Sequence, residues 1–77
     1  METHVRLELM ATLKRYQPVS HDRYPITPGI LVRELMMQLN ILEHEVNVVF
    51  VDGIKGNLDS MLSGGERVAF FPPLGGG

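Results

Sequence analysis

One stretch of this chain has the periodicity of a helix, and it is short. From Leu31 to Leu39 the apolar residues Val32, Leu35, Met36 and Leu39 recur at i, i+3, i+4 and i+7, which makes a single stripe. A stripe of that kind must be covered by another layer, and one short helix cannot cover itself. Ile30 and Leu31 stand where a Ser, Thr, Asp or Asn cap belongs, and Asn40 is a plausible stop. The covering layer must come from the segments on either side.

Those segments read as strands. Val5, Leu7, Leu9, Ala11 and Leu13 alternate with His4, Arg6, Glu8 and Met10, a period of two that predicts a first, half-buried strand. The polar stretch from Arg15 to Arg23 predicts a loop, Tyr24, Pro25 and Ile26 a short strand at a sheet edge, and Pro28-Gly29 a turn. Val46 to Val51 is apolar almost throughout and predicts a central strand covered on both faces, closed by the turn signal Asp52-Gly53. Leu58 and Leu62 anchor an irregular crossing, Ser63-Gly64-Gly65-Glu66 makes a second turn, and Val68 to Phe71 forms the last strand. Pro72-Pro73 ends it, because proline cannot donate to a ladder. The order predicts an α+β protein of the β-grasp (ubiquitin-like) plan, with a mixed sheet of four to five strands on one helix. Residues 1–77 make a single domain, with a globular body at 1–71 and an extended, flexible tail at 72–77.

Composition narrows the function. A chain of 77 residues buries only about 60% of the surface its unfolded form exposes, so its core is thin. With 44% apolar and 21% charged residues it suits a soluble domain, and no apolar run is long enough to span a bilayer. Met1-Glu2-Thr3-His4 lacks the basic and apolar regions of a secretory signal, so a cytoplasmic location is expected. A net charge of −2 with cations spread singly argues against nucleic acid. Cysteine is absent, which removes disulfides, thiolate nucleophiles and Cys-type zinc sites. His4, His21 and His44 lack the spacing of a metal site, and Glu43 and Glu45 sit in a polar connection that suits solvated carboxylates. Neither Gly53 and Gly56 nor Gly64-Gly65 opens a helix after a strand with the Lys-Ser/Thr of a phosphate loop. No catalytic residue, metal or bound cofactor is expected.

The last residues carry a different chemistry. Pro72-Pro73 favours an extended, stiff segment, while Gly75, Gly76 and Gly77 have no Cβ and accept almost any backbone angle. Extended, Leu74 to Gly77 reaches roughly 13 to 14 Å into a partner's cleft, where side chains would jam. The terminal carboxylate is a poor electrophile until ATP converts it to an acyl adenylate. Sulfide displaces AMP and leaves a thiocarboxylate on Gly77, whose sulfur is a soft nucleophile; a persulfide first gives an acyl disulfide, which a thiol cleaves to the same thiocarboxylate and a disulfide.

The residues resemble the ThiS/MoaD-like sulfur carriers. Met10-Ala11-Thr12-Leu13-Lys14-Arg15 is similar to the family's first-strand signature, and Thr27 to Leu35 to its approach to the helix, with Leu31 where the family usually has Thr or Ser. Phe50-Val51-Asp52-Gly53 resembles its strand and Asn-Gly turn, with Asp for Asn, and Leu62-Ser63-Gly64-Gly65-Glu66-Arg67-Val68 resembles its second turn. Phe71-Pro72-Pro73-Leu74-Gly75-Gly76-Gly77 is similar to the ending of molybdopterin synthase small subunits. The resemblance implies that an E1-like enzyme adenylates Gly77 with ATP, a sulfur donor loads it, and a synthase accepts the sulfur. In the molybdopterin branch the acceptor is the large synthase subunit. Relatives with the same tail serve thiazole, tRNA-thiolation and cysteine pathways, and a protein modifier joined to lysines shares the chemistry up to its acceptor.

Partners need a surface to grip. The pleat of the last strand places Val68 and Phe70 inward and Ala69 and Phe71 outward. By the same pleat Val48 and Phe50 point toward the helix and Val49 and Val51 stand on the open face of the sheet. Val49, Val51, Ala69 and Phe71 are therefore the expected apolar docking patch.

Overall fold

The computed structural model describes residues 3–74. Its main sheet has five strands in the order β2-β1-β7-β4-β5, from β1 (Thr3–Leu9), β2 (Tyr24–Ile26), β4 (Val48–Val51), β5 (Ile54–Lys55) and β7 (Arg67–Phe71). β1 and β7 run parallel at its heart, and the other neighbours pair antiparallel, so the sheet is mixed. β3 (Ile30–Leu31) and β6 (Met61–Leu62) form a separate two-stranded ladder beside the start of the one α-helix, α1 (Val32–Gln38). This is the β-grasp architecture. No helix among the described residues is long and apolar enough to cross a membrane.

The helix stripe lies where its spacing requires. Val32, Leu35, Met36 and Leu39 are buried against Val5, Leu7 and Leu9 of β1, Val68 and Phe70 of β7, and Val49 of β4. Burying one such side chain contributes about 1.5–3 kcal/mol, so these few residues carry most of the stability of a thin core. The missing side-chain cap of α1 is replaced by backbone. The Val32 N–H donates to the Ser60 carbonyl at 2.9 Å and Arg33 N–H to that of Leu58 at 2.8 Å, while Leu31 N–H donates to Glu34 Oε1 at 2.8 Å. The irregular crossing from Leu58 to Leu62 thus supplies the acceptors that the first helical turn lacks.

At the other end Asn40 is left-handed (φ 64°), and the Ile41 and Asn40 N–H groups close on the carbonyls of Met36 and Met37. That is a Schellman stop, with asparagine tolerating the positive φ.

Three expectations change. The first strand ends at Leu9 rather than running to Leu13, because Ala11 takes a left-handed φ of 50° and residues Ala11–Tyr16 wind into a 3-10 helix. Leu13 stays buried all the same, on the helical turn. The strand expected over Val46 to Val51 begins at Val48, after a bend at Asn47. It is not central, since β7 lies at the middle and only the two-residue β5 lies beyond it.

The 3-10 helix is tied to the loop after α1 by one carboxylate. Glu45 accepts from Tyr16 Oη at 2.8 Å, from Arg15 Nη2 at 2.6 Å and from the Leu42 N–H at 3.1 Å. The Leu42 N–H and the Tyr16 hydroxyl hold this carboxyl below its usual range, and the same cluster raises the Arg15 guanidinium. A depressed folded value means that the unfolded chain binds the proton more readily. Glu45 therefore adds stability that is complete above its unfolded value of about 4.3 and lost as pH falls through the folded value. Urea unfolding between about pH 6 and pH 3 is expected to show a shallower acid loss for Glu45→Gln than for the parent, and parallel profiles would contradict this.

Candidate functional site

The helix covers one face of the sheet and leaves the other open. Cross-strand register decides what stands there. Val49 lies opposite Phe70 and Val51 opposite Val68, whereas Phe50 lies opposite Ala69 and Val48 opposite Phe71. Directly paired residues point to the same face, so Val49 and Val51 follow Phe70 and Val68 into the core. Val49 is 3% exposed, and Val51 packs against the same cluster.

The expected patch is thus half corrected. Ala69 and Phe71 lie on the open face as expected, but Val49 and Val51 do not, and Val48 and Phe50 take their places. The reason is the bend at Asn47. Val46 packs against the core, as does Val49, so the alternation slips by one residue between them. Counting in steps of two from Val46 therefore lands on the wrong face. A uniformly apolar run hides such a slip, since no polar residue within Val48–Val51 marks the outward side.

The corrected patch is built closely. Phe50 and Phe71 meet edge to face with ring centroids 5.6 Å apart, a favoured aromatic geometry. Ala69 between them is only 7% exposed. Beyond Phe50 and Phe71 an apolar groove of about 530 Å³ opens toward the base of the tail, lined among others by Met10, Val48, Pro72 and Leu74. No charged residue lines it. Its chemistry suits an aliphatic or aromatic side chain rather than an ion.

The chain leaves the sheet beside this groove. Asn47 N–H donates to the Phe71 carbonyl at 2.8 Å, and then Pro72 and Pro73 offer no donors. Pro72 is half-buried, Pro73 exposed, and Leu74 95% exposed. On the other flank of the diproline lies a second cleft of about 310 Å³, edged by Arg15, His44 and Glu45. The tail base thus stands between an apolar wall and a polar one. The expected flexible, threading segment Gly75, Gly76 and Gly77 lies outside the described residues.

The other titratable groups do not assemble. Among the described residues, no three metal-ligating side chains converge. His21 Nδ1 lies 3.4 Å from Asp22 Oδ1, and that carboxylate is 3.8 Å from Arg6 Nε, at an exposed corner without a nucleophile. Arg33 bridges Glu43 at 2.7 Å and Asp59 at 3.2 Å, which ties the helix to two loops.

Comparison with known proteins agrees with the fold. The model of the ThiS family matches residues 8–77. Among solved structures the chain is similar to a protein named as molybdopterin converting factor, subunit 1, from Pyrococcus furiosus, with TM-score 0.65 and 20% identity over 94% of this chain and 99% of that one. It is similar to the HVO 2177 protein of Haloferax volcanii, with TM-score 0.70 and 21% identity over 99% of this chain and 88% of that one. SAMP1 of the same organism gives TM-score 0.63 and 18% identity over the full length of both. At such identities the likeness is one of fold. No curated protein sequence matches the chain.

Proposed function

The chain belongs to the ThiS family, and from that premise we propose that it carries sulfur on its own C-terminal carboxylate, Gly77. An E1-like enzyme joins that carboxylate to the AMP moiety of ATP, releasing pyrophosphate. Sulfide attacks the acyl carbon, AMP leaves with the C–O bond's electron pair, and a thiocarboxylate remains. No redox step is needed when sulfide is the donor. The chain contributes no acid, base or nucleophile beyond this terminus, and its task is to be gripped and threaded.

The observation that carries this reading is the junction at Phe71. The middle strand of the sheet runs straight into Pro72-Pro73, beside an open apolar face of Val48, Phe50, Ala69 and Phe71. A partner that docks on that face receives the tail at a defined place, which converts a floppy terminus into a positioned substrate. Gly75, Gly76 and Gly77 then pass a narrow channel because they have no side chains. The acceptor we favour is the large subunit of molybdopterin synthase. The Phe71-Pro72-Pro73 ending and the name of the Pyrococcus relative both support that branch over thiazole synthesis, tRNA thiolation, cysteine synthesis or attachment to lysines.

The test is chemical. Incubated with the E1-like enzyme of the same genome, ATP and sulfide, the protein is expected to gain one sulfur-for-oxygen exchange in intact mass. A chain ending in a Gly77 amide is expected to gain nothing, because an amide cannot be adenylated. Sulfur loading of the amide would refute the carrier reading. Adducts on target lysines, with no delivery of sulfur to a pterin precursor, would assign the tail to protein modification instead.

A further inference from the structure

The open face carries charges as well as apolar groups, and their order is informative. The ladder pairs set Lys55, Phe50, Ala69 and Glu8 in one row across β5, β4, β7 and β1. A cation stands at one end of this row and a carboxylate at the other, with two apolar residues between. Among the described residues neither Lys55 nor Glu8 has an ion-pair partner. In the neighbouring row toward the tail Val48 faces across to Phe71. On the far side, past the end of the β4 ladder, the turn residue Asp52 accepts from the Arg67 N–H at 2.9 Å, and Arg6 pairs with Arg67 from β1 and lies 3.8 Å from Asp22.

We infer that this face is self-complementary and closes on a second copy of the chain. A twofold axis lying in the interface along the strand direction keeps each row at its height and reverses its order. Lys55 then meets Glu8 of the second copy, Phe50 meets Ala69, Val48 meets Phe71 and Arg67 meets Asp52. Each of these four pairings is complementary and occurs twice. A twofold axis across the strands fails, because it sets Lys55 on Lys55 and Glu8 on Glu8.

Four strands spaced about 4.8 Å apart put Lys55 and Glu8 roughly 14 Å from each other along the row. The usual angle of about −30° between aligned sheets displaces the row ends by only about 3 to 4 Å, within reach of a lysine and a glutamate. The arrangement buries the same Phe50 and Phe71 on which docking of the activating enzyme relies, so the dimer is an idle form that competes with activation. That consequence rests on the proposed function. The dimer itself does not.

A face about 14 Å across is small for a specific contact, and weak association, with a Kd on the order of 10 to 100 µM, is expected. Sedimentation equilibrium of the full chain across that range should show a reversible monomer–dimer equilibrium. Lys55→Glu sets a carboxylate against Glu8 at both ends of the interface and Glu8→Lys an ammonium against Lys55 at both ends, and each alone is expected to weaken the dimer at least tenfold.

Mixing the two variants restores both pairs, so K55E with E8K should form a heterodimer about as tightly as the parent forms its homodimer. The double variant K55E/E8K should likewise dimerise with itself. Thermal unfolding of each variant at monomeric dilution separates a folding defect from a lost contact. A parent chain that stays monomeric, charge variants that dimerise unchanged, or a mixture that fails to restore association would each overturn the inference. Sulfur loading by the monomer is unaffected by any of these results, so failure of the dimer and failure of the carrier reading are distinguishable.

Discussion

Phe50→Ala is expected to leave the protein folded and to weaken its docking to the activating enzyme about thirtyfold, while Val49→Ala, one residue away, is expected to do the reverse. Phe50 lies on the open face and meets Phe71 edge to face. An aromatic anchor at the centre of an interface contributes about 2 kcal/mol or more, which is the thirtyfold change. Losing the ring pair costs the fold only about 0.5–1.5 kcal/mol. Val49 is 3% exposed among Phe70 and the helix residues. Its truncation leaves a cavity and costs about 2 to 3 kcal/mol of stability, with the docking face intact.

The measurement pairs a chemical unfolding curve with the KM of each variant in the adenylation assay, taken where the folded form predominates. If the two substitutions change both quantities alike, the register of the strand is not what separates docking from packing.

Gly64→Ala is expected to be the most damaging single methyl in the body of the protein. Gly64 has a φ of 124°, which L side chains rarely adopt, and a Cβ there would stand 2.8 Å from the Thr3 Cβ and nearer still to its methyl and hydroxyl groups. The surrounding backbone cannot step aside easily. Gly65 N–H donates to the His4 carbonyl at 2.7 Å and Arg6 N–H to that of Glu66 at 2.9 Å, which clamps the turn onto β1. The Glu66 carboxylate is also held, accepting from the Ser63 and Gly64 N–H groups.

Conformational strain of about 1–2 kcal/mol adds to an overpacking penalty of about 1–3 kcal/mol. The sum, about 2 to 4 kcal/mol, lowers the Tm by roughly 10 to 25 °C in a domain of this size. Gly65→Ala meets no neighbour within 4 Å but shares the positive φ of 88°, so it should cost only the conformational part. Adding Thr3→Gly to Gly64→Ala should recover the steric part. Equal Tm losses for Gly64→Ala and Gly65→Ala would show that the contact with Thr3 is not what matters.

Much of this was legible in the residues because local physics wrote it. The stripe of Val32, Leu35, Met36 and Leu39, the edge strand with Pro25, the turn at Asp52-Gly53 and the stop at Asn40 each follow from a short-range rule about periodicity or φ. The hairpin turn has φ of 53° and 79° at its two residues, as a tight two-residue connection demands. Where the structure departs from these local signals, the competing force is tertiary. Ala11 left the strand although its alternation was sound, and the helix found its cap in carbonyls from Leu58 and Ser60, far along the chain.

The helix, the strands around it and the β-grasp order were readable from the residues alone, because period and turn residues are local signals. Which side of β4 stays uncovered is settled by long-range packing alone. A run of apolar residues is silent about its own orientation, and one bend at Asn47 reverses it. The pairing of Val49 with Phe70, and so of Phe50 with Ala69, is a contact between distant segments, and it is this pairing that separates the core from the open face.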